Sequence, residues 1–196
     1  MLTFEQFLQQ AAKKGEAVNL MFEERLFGLV EILHKVADMF TAEGIPYETI
    51  GSMAVAAHIE QMDRDQIMLT RDVDIMIDRS DLERVQEAAP RHGLDMLLYG
   101  DEKKAIRGVR LLFSGEKVKP DQAPNPRLAP ERITVHGGDV SVIPVIDLVG
   151  MKLNSYRDKD RVHVRGMDAV GLITPEVERA LPVELGSRLQ HIRQTE

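Results

Sequence analysis

Apolar residues recur along the chain with two different periods, and each period predicts one type of element. Over residues 19–44 they return every three or four positions and stop at Gly44, which predicts an amphipathic helix and its C-terminal end. Within 70–78, whose sequence is TRDVDIMID, apolar side chains fall at every second position. That is the period of a strand with one face buried. The apolar positions of this strand are Val73, Ile75 and Ile77.

The order of the predicted elements indicates the fold class. A strand at 45–50 leads into a turn at Gly51, and the helix that follows has Ser52 as its predicted N-cap. The other predicted elements are helices at 80–93, 145–157, 157–173 and 174–194, strands at 94–100 and 105–115, and a hairpin at 132–144. The Gly137-Gly138 pair is expected to supply the positive φ angles of the hairpin turn. Helices interspersed with strands predict an α/β or α+β fold with a small mixed β-sheet flanked by helices.

Three segments follow from this order. We expect an N-terminal helical segment at 1–44 that packs on the core, an α/β core at 45–146, and a C-terminal helical segment at 147–196. Within the core, residues 116–131 contain four of the nine prolines and are predicted to form a loop with no core of its own.

Composition narrows the class of protein. A chain of 196 residues without cysteine forms no disulfide, thiolate metal site or cysteine nucleophile, which fits a reducing cytoplasm. The start of the chain lacks the pattern of a secretion signal, and no apolar run is long enough to span a bilayer. We therefore expect a cytoplasmic protein without a membrane partner. A net charge of −7 argues against a broad nucleic-acid surface but permits a small site for a metal-bound nucleotide.

Two acidic residues lie on the polar face of the 70–78 strand. Asp72 and Asp74 project to the same side, where two carboxylates repel each other. The turn at Gly51 and Ser52 precedes a helix whose first N–H groups and positive dipole end favour phosphate oxygens. Mg²⁺ in proteins is held by carboxylates together with substrate phosphates. An Asp-x-Asp pair beside such a turn therefore points to a metal that joins carboxylates and phosphates.

This combination of motifs resembles a known family. A Gly-Ser turn, a helix and then TRDVDIMI are similar to the nucleotidyltransferase superfamily that includes DNA polymerase beta and the kanamycin-type nucleotidyltransferases. The TRDVD form also resembles small bacterial nucleotidyltransferases, some of which act as toxins or antitoxins. Those proteins often contain a segment like Asp147–Asp160 of this chain.

The resemblance implies a reaction and a set of roles. The reaction is transfer of a nucleoside monophosphate from an NTP to an acceptor, with Mg²⁺ as the cofactor and release of pyrophosphate. The acceptor is not identified and belongs to one of three classes: a small molecule, tRNA or a protein. By resemblance, Asp72 and Asp74 hold two Mg²⁺ ions and act in catalysis. Gly51 and Ser52 contact the phosphates, and Lys152 either contacts a phosphate or is a solvated lysine.

The resemblance also implies a third carboxylate on a strand next to the Asp-x-Asp strand. The best candidate strand, 105–116, offers Arg107 and Arg110 but no inward acid. Glu116 at its end is the predicted substitute in catalysis, and Asp139 in the hairpin turn is the other candidate. Without a third carboxylate, the alternative is a catalytically degenerate module that binds a nucleotide or a protein partner, as in a toxin–antitoxin pair.

A second group of polar residues lies in the predicted helix after residue 157. Helical spacing places its members partly on one face, so they form either a polar patch toward the acceptor or a solvated, ion-paired face. The residues are Asp158, Asp160, His163 and Asp168.

Overall fold

Helices and short strands alternate along the part of the chain that the structure describes. The structure is a computed structural model, and it describes residues 27–63, 72–99 and 102–195. The strands are β1 (Glu48–Ile50), β2 (Val73–Ile77), β3 (Met96–Tyr99), β4 (Glu102–Ile106), β5 (Val109–Phe113), β6 (Glu131–Val135) and β7 (Gly138–Val142). The helices are α1 (27–42), α2 (Gly51–Met62), α3 (Leu82–Arg91), α4 (Val145–Ser155), α5 (Asp158–Ala169), α6 (Pro175–Ala180) and α7 (Val183–Gln194).

The main sheet is mixed and has five strands in the order β5-β2-β1-β7-β6. Strand β1 pairs antiparallel with β2 and parallel with β7, while β2 pairs parallel with β5. Strands β3 and β4 form a separate two-stranded sheet. The predicted α/β fold with a small mixed sheet and flanking helices is therefore confirmed.

Apolar side chains cover both faces of the main sheet. The alternation in β2 places Val73, Ile75 and Ile77 in one cluster, which includes residues of α1 and α3. Met76 belongs to the opposite cluster, which includes residues of α4, α5 and α7. Because β2 is buried on both faces, any polar side chain on it has to be accommodated inside the protein. That constraint applies to Asp74.

Both clusters cross the predicted segment boundaries. The first joins residues of α1 to the main sheet, and the second joins β1, β2 and α2 to α4, α5 and α7. The division at 44/45 and 146/147 stays a prediction. The part of the N-terminal segment at 1–26 lies outside the described residues. None of the helices in the described ranges combines the length and the hydrophobicity needed to cross a bilayer.

The β6–β7 hairpin forms where it was predicted, but its turn is shifted by one residue. Positive φ angles occur at His136 (44°) and Gly137 (86°), whereas Gly138 is already the first residue of β7. Gly138 is needed for another reason. A Cβ atom on it would lie 2.6 Å from Nε2 of His34, so the α1 side chain packs directly on this backbone.

A strap at 114–130 connects β5 to β6 and coincides with the predicted proline-rich loop. Asn125 is buried and donates its side-chain amide to the Phe113 carbonyl at 2.9 Å. Asn154 of α4 accepts from the Ala123 N–H and donates to the Ala123 carbonyl, both at 3.3 Å. Side chains therefore fix a segment that lacks regular secondary structure.

Glu48 of β1 holds the far end of the strap. Its side chain is fully buried, and Oε1 accepts a hydrogen bond from the Ala129 N–H, while Oε2 has no hydrogen-bond partner. Burial raises the pKa of Glu48 to about 7, the Ala129 N–H opposes this, and the charges of Asp147 and Glu131 raise it further. The strap is thus anchored by a carboxyl group that is protonated below neutral pH.

The raised pKa predicts a pH-dependent stability. Relative to the ordinary value of 4.5, the folded state keeps a proton on Glu48 that the unfolded state has already released. The resulting stabilisation is complete below pH 4.5 and is lost as pH rises through about 7. Glu48→Gln does not titrate and retains an acceptor for Ala129. Its free energy of unfolding relative to wild type should rise by up to about 3 kcal/mol across this range.

Urea denaturation of both proteins at several pH values measures this difference. The control is Glu131→Gln, which removes a nearby but exposed carboxylate and should show a much flatter difference from wild type. A Glu48→Gln curve parallel to that of wild type at all pH values would contradict the assignment.

Candidate active site

The junction between β1 and α2 forms the first part of the site. Strand β1 ends at Ile50, and α2 begins at Gly51 with a φ of 72°. A Cβ atom on Gly51 would lie 2.1 Å from Oδ2 of Asp74, so only glycine allows the carboxylate to approach this turn. The predicted N-cap role of Ser52 is wrong. Ile50 is the N-cap residue and gives no side-chain hydrogen bond, so Ser52 lies in the first turn.

Asp74 is the buried acid of the site. Antiparallel pairing of β1 with β2 places it opposite Ile50, next to the first turn of α2. Its side chain is 9% exposed, and Oδ1 is buried without a hydrogen bond. Burial raises the pKa of Asp74, the charges of Arg110 and Lys152 oppose this, and the charge of Asp72 adds to it. Asp72 itself is exposed and directly precedes β2.

Arg110 occupies the neighbouring strand at the level of Asp74. The parallel pairing of β2 with β5 sets Asp74 directly opposite Arg110, so both side chains project from the same face. Arg110 Nε lies 2.9 Å from Asp74 Oδ1 in an ion pair. The strand on which a third carboxylate was expected thus presents a cation beside the buried acid.

The two candidates for the third carboxylate lie elsewhere. Glu116 forms an ion pair with Arg79, and its side chain is 40% exposed. Asp139 is exposed on β7 and accepts a hydrogen bond from Thr134 Oγ1 at 2.8 Å. Among the described residues, the lining of the cavity beside Asp74 includes neither of them. The catalytic role of Glu116 stays a prediction that this geometry does not support.

Lys152 of α4 lines the same cavity as Asp74. It is 5% exposed, which excludes the solvated interpretation. Its Nζ atom lies 3.4 Å from Oδ1 of Asp160, and Asp160 Oδ2 accepts from Arg157 Nε at 2.7 Å. Burial lowers the pKa of Lys152, while the charges of Asp160 and Asp74 favour its protonated form. Asp160 is fully buried, yet the Arg157 hydrogen bonds and the Lys152 charge hold its pKa below its usual range.

The polar residues of α5 do not all fit one of the two predicted interpretations, a patch at the site or a solvated, ion-paired face. Asp160 is buried at the cavity, whereas Asp158 is exposed and pairs with Arg161. Asp168 pairs with Arg193 of α7 at 2.8 Å. His163 is 6% exposed, and burial together with the Lys152 charge lowers its pKa to about 4. This histidine is therefore neutral near pH 7.

A cavity of about 510 Å³ connects these residues. Its size falls within the range of about 300–1,000 Å³ that is typical of small-molecule sites. Its lining comes from the β1–α2 turn with Asp74, from α4 and from the strap. The described lining contains more cationic than acidic side chains. The cations are Arg110, Lys119, Lys152, Arg157 and Lys159, and the acids are Asp74, Asp147 and Asp160. The cavity is thus locally basic in an acidic chain, which favours an anionic ligand.

The donor set limits the metal that this site can hold. Within 27–63, 72–99 and 102–195, no three acidic or histidine side chains converge as a metal-ligand set. Asp74 Oδ1 is buried beside Arg110 Nε at 2.9 Å but forms no well-aligned hydrogen bond, and Asp72 is close enough to affect the pKa of Asp74. Two carboxylates of this kind fit a Mg²⁺ ion that completes its shell with phosphate oxygens and water.

Comparison with solved structures finds proteins with a similar fold. The first match is an antigenic nucleotidyltransferase-like protein from Paracoccidioides brasiliensis, with a TM-score of 0.57 and 13% identity over 86% of this chain and 88% of that one. The second is ANT(2″)-Ia in complex with adenylyl-2″-tobramycin, with a TM-score of 0.53 and 10% identity over 84% of this chain and 97% of that one. Neither a family model nor a curated protein sequence matches the chain.

The chain has the nucleotidyltransferase fold. The predicted resemblance to the nucleotidyltransferase superfamily is confirmed at the level of structure. At 10–13% identity the likeness concerns the fold alone, so the roles of individual side chains depend on the geometry described above.

The close approach of Gly51 to Asp74 predicts a strong coupling between the two positions. Gly51→Ala adds a methyl group against the carboxylate and also forces alanine to a positive φ, so it should destabilise the fold by about 3 kcal/mol or more. Gly44→Ala is the matched control. Gly44 has a φ of 60° and open space around it, so only the backbone cost of about 1–2 kcal/mol applies.

A double-mutant cycle checks the mechanism. Asp74→Ala removes Oδ2 and Cγ, the two atoms closest to the new methyl group, and it should recover part of the loss in the Gly51→Ala background but none in the Gly44→Ala background. Chemical denaturation gives all the required free energies. Equal losses for Gly51→Ala and Gly44→Ala would exclude the steric explanation.

Proposed function

We propose that the chain is a Mg²⁺-dependent nucleotidyltransferase that transfers a nucleoside monophosphate from an NTP to an acceptor. The main observation behind the proposal is the close contact between Gly51 and the buried Asp74 carboxylate at the N-terminus of α2. That arrangement joins a phosphate-binding helix end to an acid within one basic cavity. The similarity of the fold to nucleotidyltransferase structures supports the same function.

Each side chain has a proposed role in binding. The N–H groups at Gly51 and Ser52 receive phosphate oxygens at the positive end of α2. Lys152 contacts a phosphate from the α4 wall, and its buried pair with Asp160 fixes its position. Asp72 and Asp74 hold Mg²⁺, which when bound supplies charge neutralisation at the phosphates.

Transfer by these residues depends on position and charge rather than on a covalent intermediate. Phosphoryl-transfer sites act mainly by orienting the reacting groups and stabilising the charge that develops. Lys152 of α4 and Arg110 of β5 line the same cavity, so both can neutralise charge on one triphosphate. The proposed acceptor is a small molecule, tRNA or a protein. A cytoplasmic location of the protein is part of the same proposal.

A second candidate is a module that binds a nucleotide without turnover. The ion pair between Arg110 and Asp74 favours it, because the strand on which a third carboxylate was expected presents a cation to Asp74 instead. A role in a toxin–antitoxin pair with a protein partner belongs to this candidate and rests on the sequence resemblance.

An assay with α-³²P-labelled NTPs separates the two candidates. The purified protein is incubated with each NTP, Mg²⁺ and acceptor pools of tRNA, small metabolites and co-purifying protein. The enzyme should transfer label and release pyrophosphate, and Asp74→Asn should abolish the transfer. Equilibrium dialysis of the same samples measures binding. Binding without transfer would support the second candidate, and neither binding nor transfer would contradict both.

Lys152 offers a sharper test of the binding site. Lys152→Met keeps the length of the side chain and removes its charge. Charge-assisted hydrogen bonds contribute about 1.5–3 kcal/mol, so NTP affinity should fall about ten- to hundredfold. The matched control is Lys35→Met, which removes an exposed lysine from α1 and should leave the affinity unchanged. Equal affinities for the two variants in equilibrium dialysis would remove Lys152 from the site.

A further inference from the structure

Arg110 forms an ion pair with the buried acid Asp74, and its position is fixed by the sheet. The register of β5 against β2 places it opposite Asp74, and the ion pair joins its Nε to Asp74 Oδ1 at 2.9 Å. The Asp74 end of this pair is buried, with 9% of the side chain exposed, whereas 59% of the Arg110 side chain is exposed. The guanidinium group thus extends from a buried acid into the cavity.

The charge balance at the site limits how many divalent ions it can accept. Arg110 forms an ion pair with Asp74 and so already offsets the negative charge of the buried carboxylate. A second divalent ion beside Asp74 would have to approach the guanidinium group as well, and like charges at such distances repel strongly in a partly buried site. The described residues add no third acidic ligand to offset this repulsion.

The shape of the group matters as much as its charge. A guanidinium group is planar, always charged and presents several N–H donors in a fixed fork that matches phosphate oxygens. Arg110 pairs with Asp74 through Nε, and 59% of its side chain remains exposed, so the guanidinium group keeps accessible N–H donors for a phosphate. Arg110 lines the same cavity as Ser52 and Lys152.

We propose that Arg110 is a built-in cation that takes the place of a second divalent ion and contacts the triphosphate. The nucleotide complex then contains one divalent ion per chain rather than two. This inference rests on the proposed nucleotide site and replaces the two Mg²⁺ ions that the resemblance implies with one.

The number of bound ions tests the proposal directly. Mn²⁺ replaces Mg²⁺ as the probe because its free concentration can be measured by electron paramagnetic resonance. The full chain is titrated with Mn²⁺ at saturating concentrations of a non-hydrolysable NTP analogue, and the ions retained per bound analogue are counted. Wild type should retain one. Arg110→Asp replaces the cation by an acid opposite Asp74, and it should retain two.

Arg107→Asp is the control for the change in net charge. Arg107 lies just before β5 and forms a surface ion pair with Asp95 at 3.7 Å, with 69% of its side chain exposed. Arg107 is three residues from Arg110 in the chain. The Arg107→Asp variant should still retain one Mn²⁺ ion per bound analogue. Circular dichroism and thermal unfolding establish that each variant is folded.

A neutral variant keeps the proposal testable if Arg110→Asp does not fold. Arg110→Gln should weaken binding of the analogue at least tenfold and should make that binding depend more steeply on Mn²⁺. Two ions in wild type, or an Arg110→Gln variant with wild-type affinity, would overturn the role of Arg110 while leaving the nucleotide site intact. Absence of analogue binding by wild type, with and without Mn²⁺, would instead overturn the proposed function.

Discussion

The structure depends on burying the Asp74 carboxylate against the turn between β1 and α2. Asp74 lies in a strand that is enclosed on both faces, and its oxygens pack against Gly51 so closely that no other residue fits there. A buried acid is costly unless positive groups approach it. Positive charge reaches the Asp74 carboxylate from three separate elements. They are the first turn of α2, Arg110 of β5 and Lys152 of α4. The arrangement of β1, β2, β5 and α4 can be understood as the scaffold for that requirement.

The elements and the fold class could be predicted because their information is local. Periodicity located α1, β2 and the β6–β7 hairpin, and the Gly-Ser turn before an Asp-x-Asp strand indicated the nucleotidyltransferase fold that the structure comparison confirms. Close backbone approaches were not predictable in the same way. The hairpin shows this, because Gly138 is needed for contact with His34, whereas the turn uses His136 and Gly137.

The part of the site that could not be predicted from the sequence depends on contacts between residues far apart in the chain. The sequence identified Arg110 as an unexpected residue on its strand but could not place it against Asp74, since strand register is set by the sheet as a whole. Asp160 was recognised only as one member of a charged helix, because its pairing with Lys152 joins two helices. Glu48 gave no sequence signal. Its altered pKa arises from complete burial beneath a loop that is remote in the chain.

The strap has a consequence for how this fold can diversify. Its path is set by hydrogen bonds that involve backbone groups, such as those between Asn154 and Ala123, and its prolines restrict the backbone further. Side chains such as Val118, Lys119 and Gln122 can therefore be exchanged without moving the wall of the cavity. Selectivity for a ligand of this cavity can then change by substitution in one surface segment, while the sheet that holds Asp74 stays the same.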